Sequence, residues 1–282
     1  MRGYKDITNE ILDRLNRGTI PWRQTWKSGL PTNAVSKRPY KGVNTWLLGN
    51  HDYQSNLWLT FNQARLLGGW VRKGEHGHRI VFWKLIQVTD EETEEEKTVP
   101  LLRLYTVFNI EQTSVEFEVK AVEPIVEAQQ IVDDYQDKPP IKTGEPAYHP
   151  TTDTITIPPI SSFNLPGEYY STLFHELSHS TGHQSRLSRK LTTHYGTDPY
   201  AEEEVIAEMS ASYLSAMAGM EVYSKTIDNT VAYIQFWTHR FRDNDRLIIS
   251  LSAQAQKSAD WILGKRAAND GEESTQQSET EG

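Results

Sequence analysis

In residues 5–17, KDITNEILDRLNR, the apolar positions Ile7, Ile11, Leu12 and Leu15 recur at spacings of three and four, with polar residues between them. That period lays one apolar stripe along a helix, and Gly18 stands where a helix closes. The following TIPWRQTWKSGLPTNAVSKRPYKGVN breaks the period with Pro, Gly and Asn and reads as ordered loop. In TFNQARLL, Thr60 and Gln63 have capping-box spacing, which starts a short helix that Gly68 and Gly69 end. HRIVFWKLIQV and LLRLYTVFNI are β-rich runs flanking the acidic TDEETEEEKTVP, a pattern that predicts a hairpin with a solvated loop. A helix is expected over 124–137 and a short strand in DTITIPP. After it helical patterns dominate, at about 166–181, 200–219, 223–243 and 246–263. The tail from Ala267, AANDGEESTQQSETEG, has no apolar residue but two Ala and is expected to be disordered.

These elements predict an α+β protein in two parts. A small N-terminal α+β domain with a β-hairpin spans 1–118. A mostly helical domain spans 119–266, and an acidic tail spans 267–282. Charge supports the split. Residues 1–89 hold 14 Lys/Arg and 5 Asp/Glu, so the remaining 15 basic and 33 acidic residues carry the whole excess behind the net charge of −9. Six of the eight Trp also lie early, at 22, 26, 46, 58, 70 and 83. Different partners for the two parts follow as an expectation. With no Cys, neither a disulfide framework nor a thiolate metal site is possible. The polar start MRGYKDITNE lacks the apolar stretch of a secretory signal, and no run of about 18 apolar residues occurs. A cytoplasmic protein without a membrane partner is therefore expected.

The densest chemistry is STLFHELSHSTGH at 171–183. His175 and His179 are four apart and share a helix face. With Glu176 they make the HExxH pattern, in which two imidazoles bind Zn²⁺ and the glutamate is the general base. Leu173, Phe174 and Leu177 give the helix an apolar back. The longer pattern HExxHxxGxxH is matched only to Gly182, because position 185 is Ser and His183 comes two residues early. The third ligand is therefore sought on the next helix, in YAEEEVIAEMSASYL. Glu204 is the expected ligand, with Glu208 one turn on as an outer-shell residue orienting a ligand His. Glu203 and Glu208 are the rival ligands. Arg186 and Arg189 read as solvated or ion-paired, and Tyr169 and Tyr170 as structural. His194 and Tyr195 are weaker candidates for the cleft wall. One Zn²⁺ is expected, with Mn²⁺ or another divalent ion as the alternative.

Early in the chain, cations and rings interleave: Trp22, Arg23, Trp26, Lys37, Arg38, Tyr40, Lys41 and Asn44, then Arg72, Lys73 and His76 in a Gly-rich loop. Positive charge for phosphates and rings for bases are what a single-stranded nucleic-acid groove needs. A compact core of Trp with solvated cations explains the same composition equally well.

With these residues in view, the chain resembles the ArdC family of plasmid antirestriction proteins, whose N-terminal region is shared with TraC-type plasmid primases. The resemblance runs over about 4–264. It is carried by GTIPWRQTW, PTNAVSKRPYKGVN, WLTFNQARLLGGWVRKGEHG and YTVFNIEQ, then by YYSTLFHELSHSTGH and YAEEEVIAEMSASYL. It implies an N-terminal single-stranded DNA-binding domain and a zincin-like metallopeptidase domain with His175, Glu176 and His179 in the HExxH roles. It also implies protection of a mobile element's DNA from host restriction. The expected function is antirestriction through a gluzincin-like zinc metallopeptidase that cuts a peptide bond in an unknown host protein and binds single-stranded DNA. The alternative is a DNA-binding protector that works by occupancy and carries a structural metal.

Overall fold

Gly18, at φ +79°, ends the first helix α1 (Arg2–Asn16) in the left-handed conformation that glycine adopts freely. The whole predicted stripe of α1, Ile7, Ile11, Leu12 and Leu15, is buried. The structure, a computed structural model, describes all residues except 1, 24–29, 50, 52, 90–95, 118–123, 164, 192–197, 221–229 and 266–282. The expected tail, the 118/119 boundary, Trp26, His194 and Tyr195 lie outside the described residues.

After a 3₁₀ turn at Pro21–Arg23 come β1 (Thr32–Asn33), α2 (Val43–Gly49), β2 (Leu57–Leu59) and α3 (Phe61–Leu66). Thr60 caps α3 through the capping box its spacing predicts, with both reciprocal hydrogen bonds present. The predicted hairpin is β3 (His78–Thr89) and β4 (Glu96–Asn109), antiparallel with Ile80 opposite Tyr105 and His78 opposite Val107. The four strands lie in the order β1-β2-β4-β3, with β1 parallel to β2 and the other pairings antiparallel. Asn44 pins α2 to this sheet. Its amide donates to the Val81 carbonyl and accepts from the Val81 N–H, both at 2.7 Å.

The second part begins with α4 (Pro124–Asp134), shorter than predicted, and a small sheet of β5 (Ile141–Thr143), β6 (Ala147–His149) and β7 (Thr154–Ile157) in the order β5-β7-β6. Four helices follow: α5 (Pro166–Ser180), α6 (Asp198–Met217), α7 (Thr230–Asp243) and α8 (Leu247–Ile262). Helix α6 packs against both α5 and α8. Ala207, Ser210, Ala211, Ser212, Ser215 and Ala216 are all buried along it, and such small side chains let backbones approach closely. Where the three helices meet, the Ser258 hydroxyl bonds the hydroxyls of Thr181 at 2.8 Å and Ser210 at 3.1 Å.

One apolar cluster runs through both parts of the chain. Ile7, Ile11, Leu15, Trp22, Trp46 and Leu47 share it with Leu173, Phe174, Leu214, Trp237, Phe241 and Ile248. The Trp46 ring stacks on Tyr213 at 4.6 Å, and the Tyr213 hydroxyl donates to the Gly42 carbonyl. Thr8 donates to the Asp245 carbonyl, and Lys41 pairs with Asp260 at 3.4 Å.

Candidate metal centre

Helices α5 and α6 bring three donors to one point. His175 Nε2 and His179 Nε2 lie 3.1 Å apart. Glu204 Oε2 is 3.6 Å from His175 Nε2, and Glu204 Oε1 is 3.5 Å from His179 Nε2. Bonds of about 2.0–2.1 Å from a tetrahedral cation set neighbouring donors about 3.3–3.4 Å apart. The donor set therefore fits a divalent ion, and among the described residues it is the one group of three or more such side chains close enough to do so.

The surroundings fix the orientation of the imidazoles. His179 Nδ1 is 3.2 Å from Glu203 Oε1. With the proton on Nδ1, His179 donates to Glu203 and keeps the Nε2 lone pair toward Glu204. Arg189 grips Glu203 with two bonds, Nε to Oε2 at 2.9 Å and an η-nitrogen to Oε1 at 2.8 Å, and also donates to the Thr181 hydroxyl and the Ser178 carbonyl. Burial alone would raise the Glu203 carboxyl, but these bonds outweigh it and hold the group below its ordinary value. Burial likewise opposes an ionised Glu204, yet a hydrogen bond from His175 and the two imidazole charges pull it down to about 2. Burial disfavours a charged His179, but Glu203, Glu204 and Glu176 together push it up to about 9. With both imidazoles neutral, three carboxylates face one guanidinium. A divalent cation balances the two surplus negative charges.

Glu203 thus sits on the Nδ1 side of His179, outside the three converging donors. Glu208, expected to orient a histidine from such a position or to be a rival ligand, is elsewhere. Its Oε2 accepts from the Tyr233 hydroxyl at 2.7 Å and from Trp22 Nε1 at 3.2 Å. The reason is what covers each turn of α6. Glu203 and Glu204 sit where α5 crosses, whereas the 3₁₀ turn at Pro21–Arg23 also packs on α6 and brings Trp22 to Glu208. Glu176 is buried one residue from His175. His183 bonds locally to the Ser185 hydroxyl at 2.8 Å. A side chain at Gly182 would come within 2.6 Å of Leu191, so this glycine serves packing.

Arg186 and Arg189 are ion-paired as expected. Arg186 meets Asp153 and donates to the carbonyls of Ser180 and Asp137. The part Arg189 plays in holding Glu203 was not read from the sequence. A basic residue in the segment after α5 carries no spacing signal, and only the fold brings it to α6. Tyr170 is buried and donates to Gln129, and Tyr169 packs on Phe163.

The predicted nucleic-acid residues separate into two groups. Trp22, Tyr40 and Asn44 are buried, which corrects the expectation that the two rings stack on, and Asn44 hydrogen-bonds to, a nucleic acid. Trp22 is wholly enclosed against Phe241, Tyr40 packs with Leu48 and Trp58, and Asn44 is spent on Val81. Apolar area gains more from burial than from exposure, and α6, α7 and the first sheet supply the cover. Lys37, Arg38, Lys41, Arg72, Lys73 and His76 are exposed, Lys41 beside Asp260. The Arg23 side chain lies outside the described atoms.

Comparison with known proteins agrees with this architecture. Residues 1–108 match the family described as the N-terminal domain of anti-restriction factor ArdC, and residues 126–254 match one described as zincin-like metallopeptidase. A crystal structure of an antirestriction ArdC protein from the R388 plasmid, metal-free, is 34% identical with a TM-score of 0.74, covering 93% of this chain and 97% of that one. The chain belongs to the ArdC family of antirestriction proteins. A Mn(II)-bound structure of the R388 ArdC protein aligns with a TM-score of 0.73 at 33% identity, covering 95% of this chain and 99% of that one. Two Escherichia coli proteins named DNA primase TraC are 30% and 29% identical over 97% and 92% of the chain, which spans only 28% and 20% of their lengths. An uncharacterized protein of Sinorhizobium fredii is 29% identical, covering 94% of the chain and 92% of its own length. Among the described residues of this ArdC family member, no helix is long and apolar enough to cross a membrane.

Proposed function

We propose that this chain is a metal-dependent peptidase that cuts a peptide bond in a host protein, and that its N-terminal half binds single-stranded DNA. The observation that carries the first reading is the convergence of His175, His179 and Glu204, with Glu176 buried in the same turn of α5. His175, His179 and Glu204 would hold Zn²⁺ or Mn²⁺. The ion, when bound, supplies Lewis-acid polarisation of the scissile carbonyl and eases ionisation of the attacking water. Glu176 takes the proton of that water as its oxygen bonds to the carbonyl carbon. It then delivers the proton to the amide nitrogen as the C–N bond breaks. Glu203 keeps the His179 proton on Nδ1, and Arg189 keeps Glu203 ionised.

The DNA reading is supported by the similarity to TraC primases and by the cations that remain exposed, Lys37, Arg38, Arg72 and Lys73, with the exposed His76 beside them. Neutralised phosphates make such binding fall steeply with salt.

The test is Glu176→Gln. It is expected to abolish cleavage of a host-protein substrate while leaving metal content and DNA affinity unchanged. Full antirestriction by this variant, lost instead on charge reversal at Arg72 and Lys73, would replace the peptidase reading with protection by occupancy.

A further inference from the structure

Four large apolar side chains are exposed within one stretch. Trp70 is 63% exposed, and Phe61, Leu66 and Leu67 are exposed nearby in sequence. Water-facing apolar groups gathered in ten residues indicate a partner surface. Its neighbours are cationic. Arg65, Arg72 and Lys73 are exposed, whereas Arg79 is paired with Asp6 at 3.5 Å; of the nearby acidic residues, Glu75 accepts from the Gln112 amide at 2.9 Å and Glu116 is exposed beside Val115.

The stretch is held firmly. Trp70 N–H donates to the Ser114 hydroxyl at 3.0 Å, and Ser114 N–H donates back to the Trp70 carbonyl at 3.0 Å. Arg72 N–H donates to the Gln112 carbonyl, and its guanidinium reaches the Glu111 carbonyl at 3.1 Å. A Cβ on Gly69 would lie 2.5 Å from the Val115 side chain, so the backbone is seated against 113–115. The Asn33 amide donates to Gln63 Oε1 at 3.0 Å, docking the turn that carries Lys37 and Arg38 beside α3.

An indole fixed by its backbone and open to solvent, with cations on both sides, has the parts of a base-stacking site. A paired duplex hides its base faces, so the polyanion that uses both parts is single-stranded. We propose that Trp70 is the stacking platform for an unpaired nucleobase, with Arg65, Arg72 and Lys73 holding the flanking phosphates. This rests on the DNA-binding reading above and moves its aromatic element from the buried Trp22 and Tyr40 to an exposed ring.

The experiment measures binding of the full-length chain to a fluorescently labelled oligothymidine by anisotropy at one fixed salt concentration. Loss of one base stack corresponds to about 5- to 150-fold weaker binding. That loss is expected for Trp70→Ala, with most affinity kept by Trp70→Tyr and an unchanged melting temperature and metal content in both. If Trp70→Ala binds as well as wild type while Arg72→Ala/Lys73→Ala binds weakly, the face is electrostatic only and the stacking proposal is wrong. If the wild type itself does not bind the oligonucleotide, the underlying DNA reading fails with it. Binding of wild type, but not Trp70→Ala, to anionic lipid vesicles, with equal oligonucleotide binding by both, would make the face a membrane contact and overturn the proposal.

Discussion

Three glutamates within six residues of α6 have three different fates, and their neighbours decide which. Glu204 faces the imidazoles, Glu203 joins His179 to Arg189, and Glu208 joins Trp22 to Tyr233. The convergence of His175, His179 and Glu204 was legible because fixed helical spacing puts the two histidines on one face and a carboxylate on the next helix. The difference between Glu203 and Glu208 was not, because it depends on which segment packs on each turn. Metal analysis of purified variants is expected to separate the roles. Glu204→Ala loses the ion, while Glu203→Gln retains it with about 10- to 100-fold weaker affinity. Arg189 and Glu203 are both nearly enclosed. Arg189→Ala leaves the buried Glu203 carboxylate without its guanidinium, with only the His179 N–H beside it, and is expected to lower unfolding stability by about 3–5 kcal/mol. Adding Glu203→Gln should recover part of that loss in denaturant titrations, and no recovery would mean the pair is not coupled.

Among the elements, the long and strongly periodic ones could be read directly. The stripe of α1, the capping box of α3 and the paired β-rich runs of β3 and β4 each carry a local signal. Helix α2 and the two- or three-residue strands β1, β2, β5 and β6 do not, since their partners come from distant sequence. Beside the C-terminal end of α2, the His51 ring lies 4.0 Å from that of His78, with Tyr53 and Trp58 around them. Burial first, then the His78 and Arg14 charges, hold His51 down to about 4. Burial and Arg14 also lower His78, with Glu75 opposing. A histidine with a depressed folded value binds its proton more readily in the unfolded chain, near pH 6.5. Stability from this contact is therefore complete above about pH 6.5 and is lost as pH falls toward about 4. Melting temperatures across that window are expected to decline less steeply in His51→Gln than in wild type. Parallel slopes would remove His51 as a cause.

At the scale of the molecule, the charge asymmetry suggested two units with separate partners, yet packing links them. The apolar face of α1 and the rings of Trp22 and Trp46 are covered by residues of α6, α7 and α8. A fragment ending at residue 118 would expose that face. It is expected to lack the dispersed side-chain NMR signals of a fixed core, and the full chain to unfold in a single calorimetric transition. Two resolved transitions would show that the halves are stable apart. Composition could not reveal this, because a tryptophan that stacks on a partner and one that fills a core look alike in sequence.

The adjacency of Glu203 and Glu204 gives the site a reading frame. Each residue turns a helix by about 100°, and the faces of α6 beyond Glu204 are fixed by packing against α5 and α8. A single deletion between Val205 and Met209 would swing both carboxylates away from the imidazoles together, and no substitution could restore them. Among relatives that keep the chemistry, gaps should therefore be absent from the run between Glu203 and the end of α6, however far the individual residues there have drifted.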